Sequence, residues 1–277
     1  MGAAAVAYVA TTGAAAAAPE DRELLERHRP VLRYDASEEY FAQPVSLPPD
    51  SAEVRRGDRV YGHVASEAGR LWLQYWFFYA YNPQDRGILR TGRHEGDWEL
   101  FQVRLARDGA PELATLSQHS WAEGCGWNQL QRRPDGRAPV LYVANGSHAL
   151  YAEPGDHDRP FPDPTDEADG EGREVRPSLR VIDDNGPTWV AYTGRWGRTE
   201  AGTIPGESPS PYGPRFQPGA PWERPTSFHA DIARACGSGA PGRWWALPAV
   251  VLAAATLCAL AFLGGRALRH RAEGRPT

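Results

Sequence analysis

The 277-residue sequence contains no lysine, and all 30 of its basic residues are arginines. Mechanisms that need a Schiff-base lysine or the lysine of a phosphate-binding P-loop are therefore excluded. The 35 acidic residues bring the net charge to -5, and the arginines form no basic stripe. Nucleic acid is consequently not an expected partner.

Cysteine is also scarce, with three residues in the whole chain. Cys258 falls within a long uncharged segment, which leaves Cys125 and Cys236 as an even pair. In an oxidising compartment these two residues could form a disulfide, and two free thiols are the alternative. The sequence does not give their separation in space, so both states remain open.

Charged residues are missing from Trp244–Gly265, a stretch of 22 residues. A helix needs about 20 apolar residues to cross a bilayer, so this stretch predicts one transmembrane helix, with a buried core helix as the alternative. Four arginines follow in residues 266–277, and the positive-inside rule places this basic tail in the cytoplasm. We therefore expect a single-pass cell-membrane protein whose extracytoplasmic domain is joined to the helix by a linker over residues 230–243.

Residues 1–18 are uncharged and rich in alanine. Ala15 and Ala17 have the spacing of a signal-peptidase site, although no basic region precedes them. The segment is therefore interpreted as signal-like, and an uncleaved second anchor is the alternative.

Between these ends, residues 19–229 carry the patterns of a mainly β domain. Pro19–His28 has acidic residues in its first turn and basic residues in its last, which predicts a short N-terminal helix. Leu71–Tyr81 is apolar and aromatic on both alternating faces, which predicts a central strand buried on two sides. The Asp108-Gly109 pair predicts a hairpin of residues 98–105 and 113–120, and later turn signals predict further strands at 140–144 and 188–193. We therefore expect a β-sandwich-like fold, with a β-rich α+β domain as the alternative.

One segment, Pro160–Glu174, is rich in Pro, Gly, Asp and Glu. Such a composition buries little apolar surface and predicts an exposed loop. Its acidic residues do not follow the order of an EF-hand loop, so a solvated loop is favoured over a calcium site.

The first candidate site is the motif HEGDWE at His94–Glu99, which leads into the apolar run LFQVRL. On a strand, Asp97 and Glu99 point to the same side, and apolar residues continue that side. Two carboxylates about 7 Å apart at the mouth of a core repel each other, and a hard divalent cation with His94 would relieve that penalty. The motif therefore predicts a metal site of His94, Asp97 and Glu99. Hydrogen bonding to Arg93 or to the backbone is the alternative.

The second candidate site is YVANGSHALY at Tyr142–Tyr151, followed by an aspartate and a histidine. Its Asn-Gly pair predicts a tight turn that exposes Ser147 and His148 at the end of a strand. The candidates added here are His148, Asp156 and His157 as converging metal ligands, and Asn145, Ser147 and the first motif's Trp98 as binding residues. A serine nucleophile at Ser147 is not favoured, because no strand–GxSxG–helix context surrounds it.

The motifs also carry a family resemblance. YWFFYAYN at 75–82, HEGDWE, YVANGSHALY and GRWG at 194–197 look like the vacuolar protein sorting-associated protein 62 family, over roughly residues 29–225. HEGDWE is also similar to the GHRHDWE heptapeptide of the necrosis- and ethylene-inducing-peptide-like cytolysins. That resemblance implies a β-sandwich that holds a divalent cation and binds membrane lipid, with His94, Asp97 and Glu99 at the heptapeptide's His, Asp and Glu. Gly96 departs from the heptapeptide, which has a second histidine before the aspartate.

Two classes of function follow. A binding module would use a divalent cation (Ca, Mg, Mn or Zn) at His94, Asp97 and Glu99 to organise a pocket for a lipid headgroup, glycan or other envelope ligand. A metal-dependent hydrolase would use the ion to activate water for hydrolysis of an ester or phosphoester, with Glu99 or His148 as general base. The binding module is favoured, and an anchored structural domain without metal is the third interpretation.

Overall fold

The computed structural model describes residues 19–45, 54–84, 92–134, 136, 138–159, 163–199, 208–230 and 232–236. The signal-like segment, the predicted span Trp244–Gly265 and the basic tail lie outside these residues. Among the described residues, no helix is both long enough and apolar enough to cross a membrane. The span therefore stays a prediction from the sequence.

The mainly β class and the short N-terminal helix are confirmed. The helices are α1 (Pro19–His28) and α2 (Pro225–Ala230). The strands are β1 (Val31–Tyr34), β2 (Arg59–Glu67), β3 (Arg70–Asn82), β4 (His94–Leu105), β5 (Pro111–Gln118), β6 (Trp121–Gly126), β7 (Val140–Val143), β8 (Leu150–Tyr151), β9 (Gly155–His157), β10 (Asp166–Ala168), β11 (Glu174–Val175), β12 (Ser178–Val181) and β13 (Ile232–Ala235). Short 3-10 helices lie at Trp127–Gln129, Thr188–Ala191 and Pro214–Phe216.

The largest sheet has seven strands in the order β12-β2-β3-β4-β5-β6-β13. β3 lies inside this sheet and is buried on both faces, as its aromatic sequence predicts. Tyr75, Phe77 and Tyr79 face one core cluster, whereas Trp76 and Phe78 face another. β4 and β5 form the predicted hairpin next to β3. The two-sided burial of β3 extends to β4, which carries the first candidate motif.

A four-stranded sheet in the order β11-β1-β7-β8 packs on one face of the large sheet. The core between them combines Leu32 and Leu141 of the small sheet with Tyr75 and Phe101 of the large one. α1 closes the same layer through Leu25, whose carbonyl accepts a hydrogen bond from the Tyr75 hydroxyl at 2.9 Å. Two sheets packed face to face give the expected sandwich-like arrangement.

Irregular chain, rather than a third sheet, covers the opposite face of the large sheet. The cluster on that face contains Trp76, Trp98, Trp189, Trp196 and Trp222. The strand predicted at residues 188–193 is wrong, because Thr188–Ala191 forms a 3-10 helix. Trp189 and Val190 are both buried in this cluster, and a strand would have turned these neighbours to opposite faces.

The acidic segment Pro160–Glu174 also differs from its prediction. It contains β10, which pairs with β9, and both Asp166 and Ala168 are buried. The exposed-loop prediction is therefore wrong over β10. The acidic composition predicted exposure wrongly, because hydrogen bonds to the Asp166 carboxylate, rather than apolar contacts, offset the free-energy cost of burying it.

A disulfide joins Cys125 of β6 to Cys236, the last residue that the structure describes. The residues before Cys236 form β13, which pairs in parallel with β6. The linker predicted from Ala230 is therefore wrong over Ile232–Cys236, because those residues belong to the sheet or are bonded to it.

Candidate functional site

Strands β4 and β5 separate towards the N-terminal end of β4. Their backbone pairing extends from Leu105 to Phe101, and beyond it the Leu100 N–H donates to the side-chain Oγ of Ser117 at 2.8 Å. The polar first half of β4 therefore borders a gap between the two strands. A pocket of about 210 Å³ opens here, and we call it the acidic pocket.

The acidic pocket brings the first motif together with part of the second. Its lining includes His94, Asp97, Trp98 and Glu99 of β4, Ser147 of the second motif, and Asn82, Gln84, His119, Ser120 and Gln217 from elsewhere. Most of these side chains are polar. The pocket is therefore suited to a charged or hydroxylated ligand rather than an apolar one.

Asp97 is buried and accepts three hydrogen bonds. Its Oδ1 accepts from the Trp98 N–H at 3.0 Å, and its Oδ2 accepts from Asn82 Nδ2 at 3.0 Å and from His148 Nδ1 at 2.8 Å. Burial by itself would raise the pKa of this carboxyl. The hydrogen bond from His148 and the attraction of His94 and His148 outweigh burial and lower the pKa. Asp97 therefore keeps its negative charge.

Glu99 is equally buried but has fewer partners. The Ser117 hydroxyl donates to its Oε2, and within the described parts of the chain no donor reaches its Oε1. Burial and repulsion by Asp97 raise the pKa of Glu99 well above its usual value, and Asp166 adds to this, against the lowering effect of Ser117. With no cation beside it, Glu99 therefore favours its protonated form, and a bound cation would have to displace that proton.

His94 lies at the start of β4 with one ring nitrogen already engaged. Its Nδ1 is 2.6 Å from the Gly96 carbonyl oxygen, which can only accept a hydrogen bond, so Nδ1 carries the proton. In the neutral ring, Nε2 is then the nitrogen with a lone pair. This tautomer is the one that a metal-binding histidine needs at Nε2.

His148 lies behind Asp97 and does not line the acidic pocket. Its buried ring stacks on Tyr79, with 3.9 Å between ring centroids, and its Nε2 is 3.6 Å from the carboxylate of Glu38. Burial lowers the pKa of His148, but attraction by Glu38 and the hydrogen bond to Asp97 outweigh it and raise the pKa to about 9. His148 is therefore a buried cation at neutral pH, which does not suit the role of general base.

The Asn-Gly turn of the second motif forms, and the His148 N–H donates to the Ala144 carbonyl across it at 3.0 Å. The turn does not expose the residues after it, because Ser147 is 1% and His148 is 0% exposed. His148 has a left-handed backbone with φ 58°, and its ring is directed into the core. The predicted exposure is therefore wrong. Asn145 is half-buried and lies outside the lining of the pocket.

A second histidine–aspartate pair beside the pocket was not predicted. His119 Nε2 donates to Asp166 Oδ2 at 2.8 Å, and Asp166 also accepts from Tyr151, Ser147 and Gln84. Burial would raise the pKa of Asp166, but His119 and the other partners hold it far below its usual range. His119 lines the pocket from the β5–β6 turn. In the sequence, His119 and Ser120 are simply two polar residues at a hairpin turn. Such residues are common in turns, so no sequence feature assigns His119 to a site.

Asp156 and His157 lie on β9, outside the lining of the acidic pocket. Asp156 is exposed, and His157 stacks on Tyr151 with 3.6 Å between ring centroids. The structure does not bring these two residues together with His148, whose ring is held against Tyr79. Of the six predicted metal ligands, the pocket therefore gathers His94, Asp97 and Glu99.

Among the described residues, one set of three ligand-type side chains has its atoms within 4.8 Å of one another, namely Glu123, Cys125 and Cys236. The two sulfurs form the disulfide and are not thiolates, so this set does not offer a thiolate metal site. The three predicted ligands in the acidic pocket share its lining but are not as close together. A cation held by them would complete its coordination with water, as hard cations commonly do.

No protein-family model matches the sequence. The chain is 27% identical over 173 residues to the putative vacuolar protein sorting-associated protein TDA6 of Saccharomyces cerevisiae, covering 48% of this chain and 37% of that protein. It is 33% identical over 113 residues to vacuolar protein sorting-associated protein 62 of the same yeast, covering 34% of this chain and 24% of that protein. The resemblance to the vacuolar protein sorting-associated protein 62 family is therefore confirmed, although the chain spans well under half the length of these relatives.

Solved structures of necrosis- and ethylene-inducing-peptide-like proteins are also similar. A structure described as NLPPya in complex with glucosamine has a TM-score of 0.38 and 17% identity, over 59% of this chain and 74% of that one. Necrosis and Ethylene inducing Protein 2, from the causal agent of cocoa's witches' broom disease, has a TM-score of 0.37 and 18% identity, over 62% and 77%. These structural similarities are partial and do not bear on the function of this chain.

Proposed function

We propose that the domain is a binding module whose acidic pocket holds a divalent cation and, next to it, a polar ligand. The observation that carries the proposal is the placement of Asp97 and Glu99 in one pocket, where Asp97 stays charged and Glu99 lacks a compensating partner. A cation beside them would offset both their mutual repulsion and the cost of their burial. His94 adds an imidazole nitrogen with a lone pair on the same lining.

The residues favour a hard cation that keeps water ligands. A structural zinc site needs about four closely placed protein ligands, usually including thiolates. Magnesium binds through one or two carboxylates with several waters, and calcium accepts carboxylates, carbonyls and water in flexible geometry. Manganese shares the preference for carboxylate and water. Asp97 and Glu99 supply ligands of that kind, so Mg, Mn or Ca fits better than Zn.

The ligand belongs beside the cation, where a lipid headgroup, a glycan or another envelope molecule would meet a mostly polar lining. Ser120 and Gln217 offer hydrogen bonds to hydroxyl groups there. A hydrolase is less well supported, because its two candidate general bases are not free to act. His148 is a buried cation behind Asp97, outside the lining of the pocket, and Glu99 is proposed here as a ligand of the cation.

The cation proposal predicts a thermal shift that depends on Glu99. For the domain stripped with EDTA, we expect Mg, Mn or Ca at a hundredfold excess over its dissociation constant to raise the melting temperature by about 5 to 10 °C. Glu99→Gln keeps the shape and removes the charge, so the variant should fold and lose most of this shift. Thermal melts of both proteins with each metal, together with elemental analysis, measure the effect.

Asp156→Asn is the matched control, because Asp156 is an exposed acidic candidate outside the pocket. This variant should keep the full shift of the wild-type domain. Absence of any shift in the wild type would refute cation binding. An equal shift in Glu99→Gln would place the cation elsewhere.

We also propose that the chain leaves the domain for the predicted membrane span at the end of the large sheet opposite the acidic pocket. The acidic pocket would then face away from the bilayer. Cys236 is bonded to Cys125, which lies opposite Ala114, and Ala114 lies opposite Val103 of β4. Val103 is four residues beyond Glu99, or about 13 Å along the strand. β13 runs parallel to β6 and so leads away from the pocket end of the sheet. Seven residues, 237–243, then separate Cys236 from the span.

Seven residues reach at most about 25 Å, so this orientation has a measurable consequence. In the full chain in liposomes, a dye on Asp108→Cys, in the turn between β4 and β5, should transfer energy to a headgroup-labelled lipid more efficiently than a dye on Ser120→Cys. Both positions are exposed, and Ser120 lines the pocket. Equal or reversed transfer efficiencies would show that the pocket faces the anchoring membrane instead.

A further inference from the structure

The side chains of Glu123, Cys125 and Cys236 form a compact group outside the acidic pocket. Glu123 and Cys125 alternate onto the same side of β6, and Cys236 directly follows β13, which pairs with β6. One carboxylate oxygen and the two sulfurs all lie within 4.8 Å of one another. The group therefore combines an oxygen ligand with two sulfurs, and the disulfide determines what those sulfurs can bind.

Reduction of the disulfide changes the chemistry of this group. In the exchange, two molecules of a thiol reductant form one new disulfide, the Cys125–Cys236 bond breaks, and each cysteine sulfur gains a hydrogen. Zinc binds cysteine as the thiolate, so its binding releases both of these protons. The reduced group then offers two thiolates and one carboxylate, a ligand set that favours zinc over the hard cations proposed for the acidic pocket.

The spacing of the three side chains suits a tetrahedral zinc site. With zinc–sulfur bonds of about 2.3 Å and a zinc–oxygen bond of about 2.0 Å, the ligand atoms lie about 3.5 to 3.8 Å from one another. These separations fall within the 4.8 Å that the group already spans. Oε2 of Glu123 also accepts hydrogen bonds from the Ala152 N–H at 3.1 Å and from Gln118 Nε2 at 3.4 Å. Contacts of this kind orient a carboxylate that binds a metal.

The group is accessible from the side of Cys236. Cys125 is fully buried, whereas Cys236 is half-buried. A thiol reductant would therefore attack at Cys236, and a water molecule on that side would complete the coordination of a metal ion.

We infer that reduction of the Cys125–Cys236 disulfide by a thiol converts this group into a zinc site, with Glu123, Cys125 and Cys236 as its three protein ligands. Either the disulfide or the zinc ion then joins the end of β13 to β6. The site shares no residue with the acidic pocket, so it does not rest on the proposed function.

The test uses the full chain in detergent with the substitution Cys258→Ser, which leaves Cys125 and Cys236 as its only cysteines. Cobalt(II) serves as the probe, because a thiolate–cobalt bond gives a charge-transfer absorption that carboxylate and imidazole ligands do not. The disulfide is reduced with a phosphine, which is removed before the metal is added. We expect one cobalt per reduced chain with this absorption, displaced by zinc, and no such absorption in the oxidised chain.

Three variants in this background identify the ligands. Glu123→Gln should weaken zinc binding to the reduced chain roughly 10- to 100-fold, because it removes the carboxylate ligand. Glu153→Gln changes an exposed acidic residue outside the group and should leave zinc binding unchanged. Glu99→Gln should also leave it unchanged, so failure of this site is distinguishable from failure of the cation site in the acidic pocket.

Absence of the thiolate absorption in the reduced chain would overturn the inference. Equal zinc affinity in Glu123→Gln would do the same, because the carboxylate would then not be a ligand. Near-ultraviolet circular dichroism reports whether the reduced chain keeps its tertiary packing. A reduced chain that unfolds and does not refold with zinc would also contradict the proposed site.

Discussion

Replacing Gly96 by alanine should lower the stability of the domain by about 3 to 5 kcal/mol, through backbone strain and a steric clash together. Gly96 has φ +65°, a left-handed conformation that a side chain makes costly. A Cβ built there would lie 1.9 Å from the Trp196 carbonyl oxygen, far inside van der Waals contact. Trp196 is fully buried, so its backbone has little room to retreat. Urea unfolding of the two proteins measures the difference.

Gly109→Ala is the control that separates strain from clash. Gly109 has φ +83°, and a Cβ there would meet nothing within 4 Å. Strain alone should cost about 1 to 2 kcal/mol at this position. If Gly96→Ala costs no more than Gly109→Ala, the close approach of β4 to Trp196 does not contribute to stability.

The same substitution reports on the acidic pocket. Gly96 lies between His94 and Asp97, and its carbonyl holds the Nδ1 proton of His94. Movement of the backbone at Gly96 should therefore displace His94 and Asp97. The variant should then bind no divalent cation, even at a temperature where it is folded. The departure of this chain from the heptapeptide, at Gly96, thus has a structural reason in the contact with Trp196.

Local patterns were sufficient for the elements that depend on neighbouring residues. The capping charges of Pro19–His28, the aromatic run of β3 and the Asp108-Gly109 turn each determine a structure within a few residues. The pairing of Asp97 with Glu99 in one pocket follows from strand alternation in the same way. These features could be predicted without knowing which segments meet in the fold.

The rest of the site depends on partners far away in the sequence. Glu38 accepts a hydrogen bond from the Gly146 N–H at 2.7 Å, across 108 residues, and this contact makes a buried carboxylate tolerable. Asp166 is buried for the same reason, although its segment has the composition of an exposed loop. No pattern of period 2 or 3.6 indicates which acidic residue will find donors, so Glu38, His119 and Asp166 were missed.

Replacing His148 by alanine should cost about 3 to 5 kcal/mol, because it leaves the buried carboxylates of Asp97 and Glu38 without the cation between them. The pH dependence of the wild type identifies the same interaction. The pKa of His148 rises from 6.5 in the unfolded chain to about 9 in the folded domain. Its stabilising effect is therefore complete below pH 6.5 and is lost as the pH rises to 9, an effect of roughly 3 kcal/mol.

His157→Ala is the matched control for this experiment. His157 stacks on Tyr151 much as His148 stacks on Tyr79, with interplanar angles of 3° and 2°, but it lies nearer the surface, where its Nε2 is 3.1 Å from the Glu153 carbonyl oxygen. Loss of the stack alone should cost about 0.5 to 1.5 kcal/mol. Urea unfolding in EDTA between pH 6 and 9 should show the full decline in the wild type and in His157→Ala, and a clearly smaller decline in His148→Ala, where the raised pKa of Glu99 still makes stability fall as the pH rises. A decline in His148→Ala as large as that of the wild type would assign the effect to another group, and the ion pair that keeps Asp97 charged in the acidic pocket would lose its support.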